Sequence, residues 1–217
     1  MSSPAKRTSI GSPRNFVTFE GGEGGGKSTQ LRLLAEALRQ AGETVITTRE
    51  PGGAPGAEEI RRLLVEGEPG RWPPQAEALL HFAARAEHLA SVIRPALEAG
   101  QWVLCDRFAD STVAYQGYGL GLDLAWLQQL RSQIVAETEP GLTLILDLPV
   151  EVGLGRVATE QRYERMGRPF HERLHAGFLA IAKAEPERCV VIDATRPIDT
   201  VAEDVRAAVA KRFGVTL

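Results

Sequence analysis

Along the chain, short apolar runs rich in β-branched and aliphatic residues alternate with longer stretches of helical periodicity. The runs are Phe16–Phe19, Val45–Thr48, Trp102–Cys105, Leu142–Leu148 and Cys189–Ile192. Alternation of this kind marks βα units wound around a parallel sheet. After the first run, Leu31, Leu34, Ala35 and Leu38 recur at helical spacing, with Gly42 where a C-cap belongs. A second long helix is predicted over 75–99, with Leu79, Leu80, Phe82, Ala83, Ala86 and Leu89 apolar and Pro95 bending its end. Further helices are predicted over 124–137, 151–160, 170–184 and 200–212.

Directly after the first run stands Gly21-Gly22-Glu23-Gly24-Gly25-Gly26-Lys27-Ser28, which fits GxxxxGK[ST] and opens a helix. Glycines let the backbone wrap phosphate oxygens with N–H groups pointing inward, and the helix N-terminus adds its positive end. In such a loop the lysine, here Lys27, bridges the β- and γ-phosphates of a nucleotide, and the hydroxyl of Ser28 ligates Mg²⁺. The expected fold is therefore α/β: a P-loop three-layer α/β/α domain with a five-stranded parallel sheet. It would span 15–217 and carry a short lid at about 156–170, where arginines crowd between two helices.

A second anchor is Trp102-Val103-Leu104-Cys105-Asp106, an apolar strand ending in a carboxylate. An acid at the carboxyl end of a strand beside a phosphate loop holds the metal or its water, so Asp106 joins Ser28 as a candidate metal ligand. A GTPase needs a base-reading NKxD, and Asn15, the only asparagine, lies before the loop. A small-molecule kinase remains. Arg49 follows the second strand, Arg85 lies on the long helix and Arg107 sits beside Asp106. Guanidinium forks match phosphate oxygens, so these arginines point to an anionic acceptor, although each taken alone also reads as a surface ion-pair partner.

Charge narrows the partners. The chain has 217 residues with 25 Lys plus Arg against 28 acids, a formal net charge of −3. That balance argues against holding nucleic acid through overall charge. Cys105 and Cys189 lie in strand runs with no metal spacing and read as inert buried thiols. Residues 1–14 are Ser- and Pro-rich and basic, lack the apolar stretch of a secretory signal, and read as a disordered tail. With no run of membrane-spanning length, a soluble cytoplasmic protein is expected.

Four segments, in this order and spacing, resemble the thymidylate kinase family: Glu20–Thr29 (EGGEGGGKST), Thr48–Gly53 (TREPGG), Phe82–Glu87 (FAARAE) and Asp106–Gly117 (DRFADSTVAYQG). The resemblance extends over nearly the whole chain from Asn15 onward and implies transfer of the γ-phosphate of ATP to dTMP by a homodimer with Mg²⁺. It implies that the loop residues Gly21 to Thr29 bind ATP. Arg49 and Arg107 hold the dTMP phosphate, Phe82 stacks on thymine, and Arg85 bonds a thymine carbonyl. Glu23 meets the deoxyribose 3′-hydroxyl, Tyr115 crowds out a 2′-hydroxyl, and Ser111 and Gln116 complete the acceptor site. Phe82 falls on the apolar stripe of its helix and so also reads as core. Of the lid arginines, Arg156 resembles the one that packs on adenine. Arg162 is the first candidate and Arg165 the second for the arginine that reaches the transferring phosphoryl group. The family often has Asp before this arginine, where this chain has Gln161.

Two rivals come from other classes. His171-Glu172-Arg173-Leu174-His175 fits the zinc protease motif HExxH, but Phe178 stands where the extended motif needs glycine and no histidine follows. A non-catalytic ATP-binding module keeps the fold without turnover; the intact set Lys27, Asp106 and Arg107 argues against it. Among kinases, another acceptor such as dUMP, dCMP or a nucleoside is the nearest alternative.

Overall fold

The computed structural model describes residues 15–68, 70–156, 163 and 165–217. The 1–14 segment, Gln161, Arg162 and residues 157–160 of one predicted helix lie outside the described residues. Five parallel strands, β1 (Phe16–Glu20), β2 (Val45–Arg49), β3 (Trp102–Asp106), β4 (Leu142–Asp147) and β5 (Cys189–Asp193), form one sheet in the order β2-β3-β1-β4-β5. Each predicted run became a strand, extended or trimmed by one residue at its carboxyl end.

Both faces of the central strands are apolar because helices cover both. Val17 and Phe19 of β1 with Leu104 of β3 pack against Leu31, Leu34 and Leu38 of helix α1 (Lys27–Gln40). On the other face Phe16, Val103 and Cys105 meet Leu89, Ile93 and Phe108. Cys105 and Cys189 are free and buried.

Between β2 and β3 run α2 (Pro55–Val65), α3 (Pro74–His88) and α4 (Arg94–Glu98). α3 and α4 are joined by a wider π-helical turn over Leu89–Ile93, which admits Pro95 in the first turn of α4. α2 was not anticipated from the sequence, although Ala57, Ile60 and Leu64 stand at helical spacing along it; of these, Ala57 and Leu64 are fully buried. After β3 come α5 (Ala109–Thr112), a second π-helical stretch (Val113–Gly119) and α6 (Leu124–Ile134). α6 stops short of the predicted Glu137 because Ala136 adopts φ 51°. The chain closes with α7 (Val150–Gly155), α8 (Arg168–Ala184) and α9 (Ile198–Phe213).

β1 connects onward to β2 on one side of the sheet and its neighbour β4 to β5 on the other, so the connections from these adjacent strands diverge at their carboxyl ends. A crevice opens at such a switch point, and ligands of α/β sheets bind there.

Candidate active site

The loop between β1 and α1 occupies that crevice. Gly24 holds φ 67°, and a Cβ there would collide with the backbone carbonyl of Gly153 in α7, so only glycine lets the two backbones pass. Lys27 folds along the loop, donating to the carbonyls of Gly22 at 2.6 Å and Gly21 at 3.3 Å. Burial, seconded by the Arg107 charge, pulls its ammonium down to about 8 against the pull of Glu23, Asp106 and Glu20. The Ser28 hydroxyl donates to Asp106 Oδ2 at 2.5 Å, bringing the two predicted metal ligands together across the β1–β3 register.

An open cavity of about 470 Å³ starts at this loop and runs between α2, α3 and the α5 segment. At the loop end, Arg107 adopts φ 70° and donates to Gly21 O and Glu23, each at 2.9 Å. The Tyr115 hydroxyl donates to the same Glu23 oxygen, and the Arg107 guanidinium lies 5.0 Å over the Tyr115 ring. Burial alone would raise the Glu23 carboxyl; Arg107, Lys27 and the Tyr115 hydroxyl overcome it and hold the group at about 2. Ser111 lines the cavity and donates to the buried Glu20 at 2.5 Å. Arg49 lines it too, more than half exposed and paired with Glu58 at 3.0 Å.

The far end is built differently. Arg85 is 2% exposed; its Nε donates to Glu50 at 2.8 Å and its NH2 to Phe108 O and Thr112, while NH1 has no partner among the described residues. Gln116 donates from Nε2 to Glu77 at 2.8 Å, which fixes its amide orientation and leaves Oε1 buried without a partner among the described residues. His81 lines the cavity and meets the Tyr163 hydroxyl at 3.0 Å.

A sequence model of the family described as thymidylate kinase matches residues 19–205. The chain is 54% identical over 203 residues to the thymidylate kinase of Caulobacter vibrioides, covering 92% of this chain and 98% of that one. To that of Dinoroseobacter shibae it is 53% identical over 199 residues, covering 90% and 96%. The chain belongs to the thymidylate kinase family. A solved structure, the thymidylate kinase of Ehrlichia chaffeensis, superposes with a TM-score of 0.74 at 37% identity, covering 89% of this chain and 96% of that one. As a thymidylate kinase the chain is an ATP-dependent phosphotransferase acting on dTMP.

Within that family frame, not every sequence candidate meets the cavity. Phe82 is 2% exposed and packs with Ala78 and Leu127, its ring 5.1 Å from the Arg85 guanidinium; it backs Arg85 from the core and does not line the cavity. Arg165 pairs with Glu68 at 3.0 Å and donates to Gly67 O at 2.8 Å, away from the cavity. Arg156 sits behind the phosphate loop, donating to Ala194 O at 3.2 Å and to Gly24 O at 3.5 Å.

Sequence reasoning missed Arg61 and His81. Arg61 lines the cavity from α2 and donates to Pro51 O at 2.6 Å. It stayed hidden because α2 itself was not predicted; for His81 the adjacent Phe82 drew the aromatic assignment.

The zinc motif has a plain structural use. His175 bonds Asp147 at 2.6 Å, Glu172 pairs with Arg168 at 2.7 Å, and His171 is buried. No cluster of three or more His, Cys, Asp or Glu that could hold a metal exists among the described residues.

Proposed function

We propose that this chain transfers the γ-phosphoryl group of ATP in line to a dTMP phosphate oxygen, with ATP on the Lys27 loop and dTMP in the cavity. The observation that carries the acceptor assignment is a pair of buried atoms at the far end that have no partner among the described residues: a donor, Arg85 NH1, and an acceptor, Gln116 Oε1. Thymine offers O4 as acceptor and N3–H as donor, matching both. Cytosine presents an amino group and a bare ring nitrogen, so both buried atoms would stay unpaired, the strongest form of discrimination a site has. Base stacking falls to His81, the ring that faces the cavity from α3.

The acceptor phosphate, with a second pKa of about 6, is largely a dianion at neutral pH and needs no general base. Catalysis then comes from positioning and charge: Arg107 with Arg49 on the acceptor phosphate, Lys27 on the donor phosphates, and a lid arginine, Arg162 first and Arg165 second, on the transferring group. Tyr115 and Glu23 face the sugar. The oxygen-only pair Ser28 and Asp106 suits a hard cation, and Mg²⁺ held there would neutralise charge on the β- and γ-phosphates. Family resemblance supports a homodimer in the cytoplasm; no helix among the described residues is long and apolar enough to cross a membrane.

Coupled ADP release with dTMP, dUMP, dCMP, dGMP and AMP offered separately tests the reading. Release should be greatest with dTMP; none with dTMP would overturn it. Arg162→Ala should lower kcat far more than it raises the dTMP KM, and an unchanged kcat would remove that residue from the role.

A further inference from the structure

Beyond Arg49, the Thr48–Gly53 segment supplies Thr48, Glu50 and Gly53 to a buried network on α3. Glu50 is buried and accepts from Arg85 Nε through Oε2 at 2.8 Å; its second oxygen, Oε1, meets His88 Nδ1 at 3.0 Å. His88 is 0% exposed and its Nε2 meets Thr48 Oγ1 at 2.7 Å. An ionised carboxylate only accepts, so His88 donates from Nδ1 to Glu50, while its Nε2 is held by the Thr48 hydroxyl. Gly53 belongs to the same device: at φ 85°, a Cβ there would lie 2.5 Å from both His88 Nε2 and Thr48 Oγ1.

The chain of bonds Thr48–His88–Glu50–Arg85 thus ends on a guanidinium whose NH2 is also pinned, to Phe108 O and Thr112. Only NH1 is left over among its nitrogens. A planar fork held at Nε and NH2 has no freedom to swing, so NH1 points one way. We propose that His88 and Glu50 are positioning residues that fix the direction of Arg85 NH1 and thereby set base selectivity, with Thr48 orienting the His88 ring. The proposal rests on the reading of Arg85 as the base-edge donor. Neither His88 nor Glu50 need touch substrate.

The test uses the full-length enzyme and the ratio of the dCMP inhibition constant to the dTMP KM, with thermal unfolding alongside. Asparagine places an amide nitrogen near the position of Nδ1, whereas glutamine reaches the position of Nε2 and is closer to histidine in volume. His88→Asn should hold the ratio within about threefold of wild type, and His88→Gln should lower it about tenfold, with the ATP KM unchanged in both. A packing role predicts the reverse order, and either that order or an unchanged ratio in His88→Gln overturns the proposal. Thr48→Val, nearly isosteric, keeps the test open if the His88 variants fail to fold: it should lower the ratio about threefold, and no change would count against the relay. Arg85→Lys separates the two readings. If it leaves the ratio intact, the base-edge assignment fails; if it collapses the ratio while His88→Gln does not, only the relay fails.

Discussion

Glu23 of the β1–α1 loop and Arg107, the residue after β3, form a 2.9 Å ion pair across the crevice. The pair is mostly buried, and the Tyr115 hydroxyl shares the Glu23 oxygen. Glu23→Gln removes the charge that orients Arg107 and, on the proposed acceptor pose, weakens the contact to the sugar. The dTMP KM should rise about tenfold, with the ATP KM changing by less than about twofold. Steady-state kinetics with each substrate varied in turn decides this, and an unmoved dTMP KM would refute it.

Glu20 lies beneath Ser111 and the backbone N–H of Phe108. Burial, then the nearby Asp110, push its carboxyl up to about 7 against bonds from Ser111 and Phe108 and the Arg107 charge. A folded-state value above the unfolded one means the native protein binds the extra proton, so stability present below about pH 4.5 is lost as pH rises through 7. Between pH 4.5 and 8 the wild type should lose on the order of 3 kcal/mol relative to Glu20→Gln. The shift of Glu23 acts below this window and that of Lys27 above it. Denaturant unfolding across that range is the measurement, and parallel curves for the two proteins would contradict the assignment.

Lys27 carries the opposite tension. Its ammonium is buried and pulled down to about 8, so holding the charge costs the folded protein stability relative to the unfolded chain. Lys27→Met should therefore raise Tm by about 2–4 °C while lowering kcat/KM about a hundredfold or more. A drop in Tm would show that the bonds to Gly21 and Gly22 outweigh the desolvation.

His81, rather than Phe82, faces the cavity. His81→Phe keeps a ring there and should leave the dTMP KM within about threefold, while His81→Ala should raise it tenfold or more, since base stacking on an aromatic ring is worth about 1–3 kcal/mol. Equal effects of the two substitutions would remove stacking from the account.

Much of the fold was legible because its signals are short-range. Runs such as Leu142–Leu148 need neighbours on both faces to bury them, and the alternation with helices leaves a parallel sheet as the solution. α2 was missed although Ala57, Ile60 and Leu64 stand at helical spacing along it. The π-helical stretch Val113–Gly119 escaped because its residues are nearly all buried and show no polar face from which to read a period.

The sequence by itself determined the phosphate loop, since Gly21–Ser28 sets its own backbone geometry, and the acid at the end of β3, since strand length places Asp106 there. Family membership was equally readable in the ordered motifs. Only the tertiary structure decided which side chains look into the cavity. Adjacent residues on a helix point about 100° apart, so His81 and Phe82 differ in role by one step of rotation that periodicity alone did not resolve. It also decided what Glu50 and His88 do, because their bonds to Arg85 and Thr48 cross from β2 to α3 and exist only once those elements pack.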